Sequence, residues 1–174
     1  MNAIVVIPHY FCSAKTEFAE YGKPAIYGET MPYAMTQHCI VRLSQTSVLF
    51  IGGKGTKSTY FYDIATRIWS EGPELPDVRL GHSCGVFQNS AKNEESLVVM
   101  TGGSDGKNHW FNSTLLLDLS NPNLGWIHGP DLPSEYPFPV FGGTMVSLGT
   151  EFCKVLGTYS VKTVLYRKET KPFT

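Results

Sequence analysis

Several groups of residues in this chain have types and spacings that could do chemistry. The run Gly52-Gly53-Lys54-Gly55-Thr56-Lys57-Ser58 gathers glycines, lysines and hydroxyls as a phosphate-binding loop does. Its order lacks Gly-Lys-Ser/Thr, and a strand rather than a helix is expected to follow, so no helix N-terminus would meet an anion. Gly103-Ser104-Asp105-Gly106-Lys107-Asn108 fails on the same ground. His38 and His82 each open an apolar stretch. An imidazole can act as general base or metal ligand, but no histidine has companions at ligand spacing, and a structural hydrogen-bonding role is expected for both. The four cysteines, Cys12, Cys39, Cys84 and Cys153, show no Cys-x-x-Cys pair, so zinc spacing is absent. Cys39 and Cys84 fall on the first strand of successive repeats, where buried free thiols are expected rather than a bridge. Asn112-Ser113-Thr114 is an acceptor sequon for an N-linked sugar, relevant only to a secreted chain. Neither a metal nor a cofactor is expected.

The elements that would position these residues repeat. One segment runs from His38 to Pro76, the other from His82 to Pro133. Each starts at a histidine and continues as a hydrophobic run ending in Gly-Gly. A second run ending in Asp follows, then a Trp and a Gly-Pro-acid-Leu-Pro turn. The pairs Gly52-Gly53 and Gly102-Gly103 stand 50 residues apart. A repeat of that length made of short strands predicts β-propeller blades. Strands a to d are expected at Cys39 to Leu43, Ser47 to Ile51, Thr59 to Ile64 and Arg67 to Ser70. In the second unit they fall at Ser83 to Phe87, Ser96 to Thr101, Thr114 to Leu119 and Gly125 to His128. Glycine ends strand b because it reaches backbone angles closed to other residues. Trp69 and Trp126 are large apolar plates suited to the widening wedge between blades. A fainter unit spans residues 143–174, and Gly28 to Pro32 reads as the tail of an earlier blade, while residues 1–23 show no repeat.

Composition bounds the partners. The chain has 174 residues, a net charge of −1 and 17% charged residues, with 17 Gly and 11 Pro. Such a balance offers neither nucleic acid nor an anionic membrane an electrostatic handle. No apolar stretch approaches the roughly 18 residues that span a bilayer. The N-terminus has no basic segment, and its apolar run from Ala3 to Ile7 is short for a signal-peptide core. A cytoplasmic location is therefore expected, with an extracellular one left open.

Arg79-Leu80-Gly81-His82-Ser83, the hydrophobic run to Gly102-Gly103, then Trp126 and Gly129-Pro130-Asp131-Leu132-Pro133 together resemble the Kelch repeat. The resemblance covers roughly residues 28–174. It implies an all-β fold, a partial (open or fragmentary) Kelch-type β-propeller of four-stranded antiparallel blades at about 38–76, 82–133 and 143–174. Residues 1–27 would form an N-terminal segment, a remnant of a preceding blade. Closed rings need about four or more blades, so a fragment of a longer propeller is favoured, with a divergent four-blade ring, or self-association of two halves to complete the ring, as the alternatives.

Alternating strand direction gathers the b–c and d–a loops at one end. That end would carry Lys54, Lys57, Ser58, Arg79, Lys107, Asn108, His109, Trp110 and Tyr136, a mixture of cations, amides and aromatics suited to recognition. The resemblance implies that this face grips a protein or peptide partner. Trp110 is the sharpest candidate, with burial against the blade as its alternative. Arg79 equally suits a structural hydrogen bond between blades. The function expected is a non-catalytic interaction module of adaptor or scaffold type. The alternative is a fragment of a propeller enzyme such as a copper-radical oxidase, for which no Tyr and His ligand set can be assigned.

Overall fold

Val48-Leu49-Phe50-Ile51 carries apolar side chains on both sides of an extended segment, so it must be covered on both faces. A computed structural model, describing residues 3–5, 14, 16–19, 24, 26–88, 96–132, 144–148, 152–156 and 163–167, shows how. The strands form four antiparallel sheets in which strand order follows chain order. The first sheet is β1 (Ala3–Val5), β2 (Glu17–Ala19) and β3 (Ile26–Tyr27). The second is β4 (Cys39–Arg42), β5 (Ser47–Ile51), β6 (Thr59–Asp63) and β7 (Ile68–Glu71). The third is β8 (Ser83–Gln88), β9 (Ser96–Thr101), β10 (Thr114–Asp118) and β11 (Ile127–His128). The fourth is β12 (Thr144–Leu148), β13 (Phe152–Leu156) and β14 (Thr163–Arg167). Among the described residues the only helical element is a 3-10 turn at Pro122–Leu124. The fold is all-β, an unclosed propeller-like array.

Each of three cores is sandwiched between successive sheets. Val48, Phe50 and Tyr62 on one face of the second sheet meet Met31 and Met35 on the first-sheet side. Val41, Leu49 and Ile51 on its other face meet Cys84, Val98, Met100, Leu115 and Leu117 of the third. Val99 and Phe87, on the far face of the third, meet Met145 of β12. This two-sided coverage follows from the period-2 alternation of a strand and leaves Leu49, Phe50 and Ile51 wholly buried.

A common register runs through the array. Ile51 pairs with Thr59, Thr101 with Thr114 and Leu156 with Thr163. Thr59 and Thr114 are fully buried at the start of the third strand, and their carbonyls accept from Gly72 N and Gly129 N, both at 2.9 Å. Thr16 receives the same bond from Gly28 N at 2.8 Å. Likewise Met31 N, Leu75 N and Leu132 N donate to Ala14 O, Lys57 O and Asn112 O. The N-terminal residues, in which the sequence offered no repeat, thus follow the same plan. The signal was Thr16, twelve residues before Gly28, where Thr59 and Thr114 stand thirteen and fifteen before theirs.

The glycine pairs are needed where sheets crowd together. A Cβ on Gly53, at φ +119°, would stand 2.8 Å from Thr36 O, and one on Gly103, at φ +86°, 2.7 Å from Leu80 O.

Cys39 and Cys84 are joined by a disulfide, with Cα atoms 6.1 Å apart. The expectation of two free thiols is overturned, and the reason lies in register. His38 and His82 hold equivalent places, but Cys84 is equivalent to Ile40, not Cys39. Cys39 pairs with Ile51 and Ser83 with the equivalent Thr101, whereas Cys84 pairs with Met100. A shift of one residue turns a strand side chain to the opposite face. Cys39 and Cys84 therefore sit on the two surfaces that face each other across one core.

Candidate interaction face

The b–c connections of the second and third sheets emerge at the same end as the d–a segments, and the two are stitched together. Lys54 N donates to Thr36 O, Gly53 N to Arg79 O and Gly81 N to Gln37 O, each at 2.9 Å. Leu80 and Ser104 exchange both backbone bonds at 2.9 Å. This end is consequently a braced platform rather than a set of separate loops.

The loop of the second sheet is short. Lys54 and Lys57 are exposed, and Lys57 Nζ stands 4.0 Å from a Glu74 carboxylate in an exposed pair. Such a pair contributes little to stability. Ser58 is half-buried and its carbonyl accepts from Gly52 N at 3.1 Å, which makes it part of the frame.

In the third sheet the loop from Ser104 to Ser113 is longer and is internally fastened. Asp105 Oδ1 accepts from Lys107 N at 2.7 Å and from His109 N at 3.1 Å, and these bonds hold its carboxyl below the ordinary range. Ser104 Oγ accepts from Gly106 N at 3.0 Å, and Phe111 N donates to Gly103 O at 2.9 Å. Asn108 takes the left-handed φ of 83° that closes the turn, a conformation asparagine tolerates better than most residues. Lys107, Asn108 and His109 are exposed on this hairpin, and Trp110 is 48% exposed. Trp110 is therefore half covered and half in solvent. The His109 ring meets the Phe111 ring edge-on at 4.5 Å.

Of the two places expected for Arg79, in the recognition surface or in a structural hydrogen bond, the second is the one it takes. Its side chain is 1% exposed. The guanidinium lies 4.0 Å over the Phe111 ring and donates to Ser113 O at 3.0 Å, Ser113 Oγ at 2.9 Å and Gly102 O at 3.3 Å. Burial lowers its pKa to about 10, with Asp77 and Asp131 opposing the shift, so it is a cation at neutral pH. Arg79 bolts the foot of the long loop to the sheet and does not offer itself to a partner. Phe111 and Asp105, which the sequence reading passed over, complete this fastening; the Asp-Gly-Lys spacing of a side-chain-capped turn was the signal.

Of the residues expected on this face, Lys54, Lys57, Lys107, Asn108, His109 and Trp110 share the one end and are exposed; Tyr136 lies outside the described residues. Trp69 and Trp126 are partly buried between sheets. Trp69 packs on Phe50 and Tyr62, with ring centroids at 4.9 and 4.5 Å. Trp126 Nε1 donates to Pro73 O at 3.0 Å. His38 and His82 lie beneath the platform. Burial lowers His38 to about 4, and burial followed by the nearby Arg79 charge lowers His82 to about 3. Both are neutral imidazoles at neutral pH, placed for packing and not for proton transfer with a solvent-borne substrate. Among the described residues no cluster of three or more His, Cys, Asp or Glu could hold a metal ion, and no helix is long and apolar enough to cross a membrane. No family model and no curated protein matches this chain.

Proposed function

We propose that the chain is a non-catalytic interaction module of the Kelch-repeat type, which binds a protein or peptide through its b–c loop end. The observation that carries this reading is the fastened Ser104–Ser113 hairpin, which holds Trp110 half in solvent beside Lys107, Asn108 and His109. An ordered aromatic flanked by polar groups loses little entropy on binding, and tryptophan is over-represented among residues that dominate interface energy. The nearby acids Glu74, Asp77 and Asp131 are also exposed, so the partner surface would be mixed in charge with an apolar socket.

A displayed peptide library selected on the full chain tests this. Peptides that bind the native chain and lose at least tenfold in affinity with Trp110→Ala, at an unchanged melting temperature, support the reading. Binders indifferent to Trp110→Ala and Lys107→Glu, or no binders at all, would count against it. Stoichiometric copper in the purified chain would favour the enzyme alternative.

A further inference from the structure

The sequon Asn112-Ser113-Thr114 has no part in the interaction reading, yet its surroundings single it out. It is the one Asn-x-Ser/Thr sequence in the chain. Asn112 is exposed, at the point where the long loop enters β10, and among the described residues its backbone carbonyl is engaged by Leu132 N at 2.8 Å. An attached sugar would find solvent there without displacing a core residue. The Cys39–Cys84 disulfide is a separate observation leading to the same compartment. Such bonds persist where thiols are oxidised, in secreted chains and the endoplasmic reticulum, and are rare in the cytosol.

We infer that Asn112 is an N-glycosylation site and that the chain matures in the secretory pathway, in place of the cytoplasm expected from its sequence. The co-reactant is an oligosaccharide carried on a lipid pyrophosphate. The Asn112 amide nitrogen bonds to the anomeric carbon of the sugar, the bond from that carbon to pyrophosphate oxygen breaks, and the amide proton leaves with the lipid pyrophosphate. Closing Cys39–Cys84 delivers two electrons and two protons to a protein disulfide of the same compartment.

The structure also sets the order of events. Thr114, whose hydroxyl completes the sequon, is fully buried, with its Oγ1 3.0 Å from Thr101 Oγ1. A transferase can read that hydroxyl only before β10 closes onto β9. The sugar therefore goes on to the entering chain, and the finished fold accommodates it at the exposed Asn112.

The test is mass mapping of the full chain from its natural source, beside the same chain secreted from eukaryotic cells behind a cleavable leader. Expected are a glycan on Asn112 in most molecules, a glycosidase-sensitive gel shift that Asn112→Gln abolishes and Thr114→Ser keeps, and Cys39 and Cys84 closed to alkylation until reduced. Folded, unglycosylated chain offered to the transferase should remain bare. A natural chain with unmodified Asn112, or with freely alkylated Cys39 and Cys84, overturns the inference. So does a secreted chain whose disulfide is closed and whose Asn112 is unmodified.

Discussion

The second and third sheets share a register but are fastened differently. Three residues before its histidine the third sheet has Arg79 and the second has Met35, both buried. Arg79 bonds the carbonyls of Gly102 and Ser113; Met35 instead packs in the apolar core with Met31, Val48 and Phe50. The inter-sheet tryptophans differ in the same direction. Trp126 Nε1 reaches Pro73 O, whereas Trp69 Nε1 is buried with no hydrogen-bond partner among the described residues. Instead, the first and second sheets are tied by Tyr62 Oη donating to Glu29 at 3.1 Å. Lengthening a loop costs little chain entropy; holding it in one shape is what requires the buried cation. The contrast shows that the third sheet anchors its longer loop with a buried cation, which the second sheet lacks at the equivalent place.

Truncating the tryptophans should give the largest effects. Trp69→Ala and Trp126→Ala should each lower stability by about 3–5 kcal/mol in urea unfolding, with Trp126 the costlier because a hydrogen bond goes too. The reverse order would break the comparison. Next, Arg79→Met, which copies Met35 into the third sheet, should cost about 1–3 kcal/mol by taking the Arg79 donor from buried Gly102 O and leaving Ser113 O only the bond from Gly102 N. It should also speed amide exchange in the loop, whereas Met35→Leu should cost less than about 1.5 kcal/mol.

Acid should separate the two histidines. Both have folded pKa values below the ordinary 6.5, so the stability of their neutral forms is complete above that pH. As pH falls below it, the unfolded chain takes up protons first, and stability drops by about 1.4 kcal/mol per unit per histidine. The slope should ease near pH 4 as folded His38 protonates, and again near 3 for His82. Arg79→Met should bring the second break toward the first, read by unfolding across a pH series. The smallest effect is the most discriminating. Trp126→Phe should cost about 1 kcal/mol more than Trp69→Phe, since only the former gives up a bond that is made.

Much of this was legible in the sequence because each strand is bracketed by residues with fixed backbone demands. Gly52-Gly53 and Gly102-Gly103 located the ends of β5 and β9, and the Gly-Pro turns located the ends of β7 and β11. The first sheet was legible only as a remnant ending in Gly28 to Pro32, its strands unplaced, because Val5 is not followed by paired glycines; Thr16 and Gly28 mark it. Trp110 was identifiable as an aromatic in a polar insertion, but its exposure depends on Asp105 capping the turn. For Arg79 the sequence leaves recognition and a structural bond equally open, since nothing local reveals that Phe111 and Ser113, more than thirty residues on, enclose it. The disulfide was hidden by counting: a spacing of 45 residues resembles the histidine spacing of 44, and that single residue decides which face a thiol occupies.

The offset cysteines also shape how the molecule comes apart. In an array where each sheet touches only its neighbours, stability is a sum of local couplings, and end units can fray independently. A covalent link across the middle core makes its two sheets melt as one block. Pulled from its termini, or cut by a protease, the chain should shed its outer sheets first and leave residues 38–132 as the last surviving piece. Reduction should erase that hierarchy.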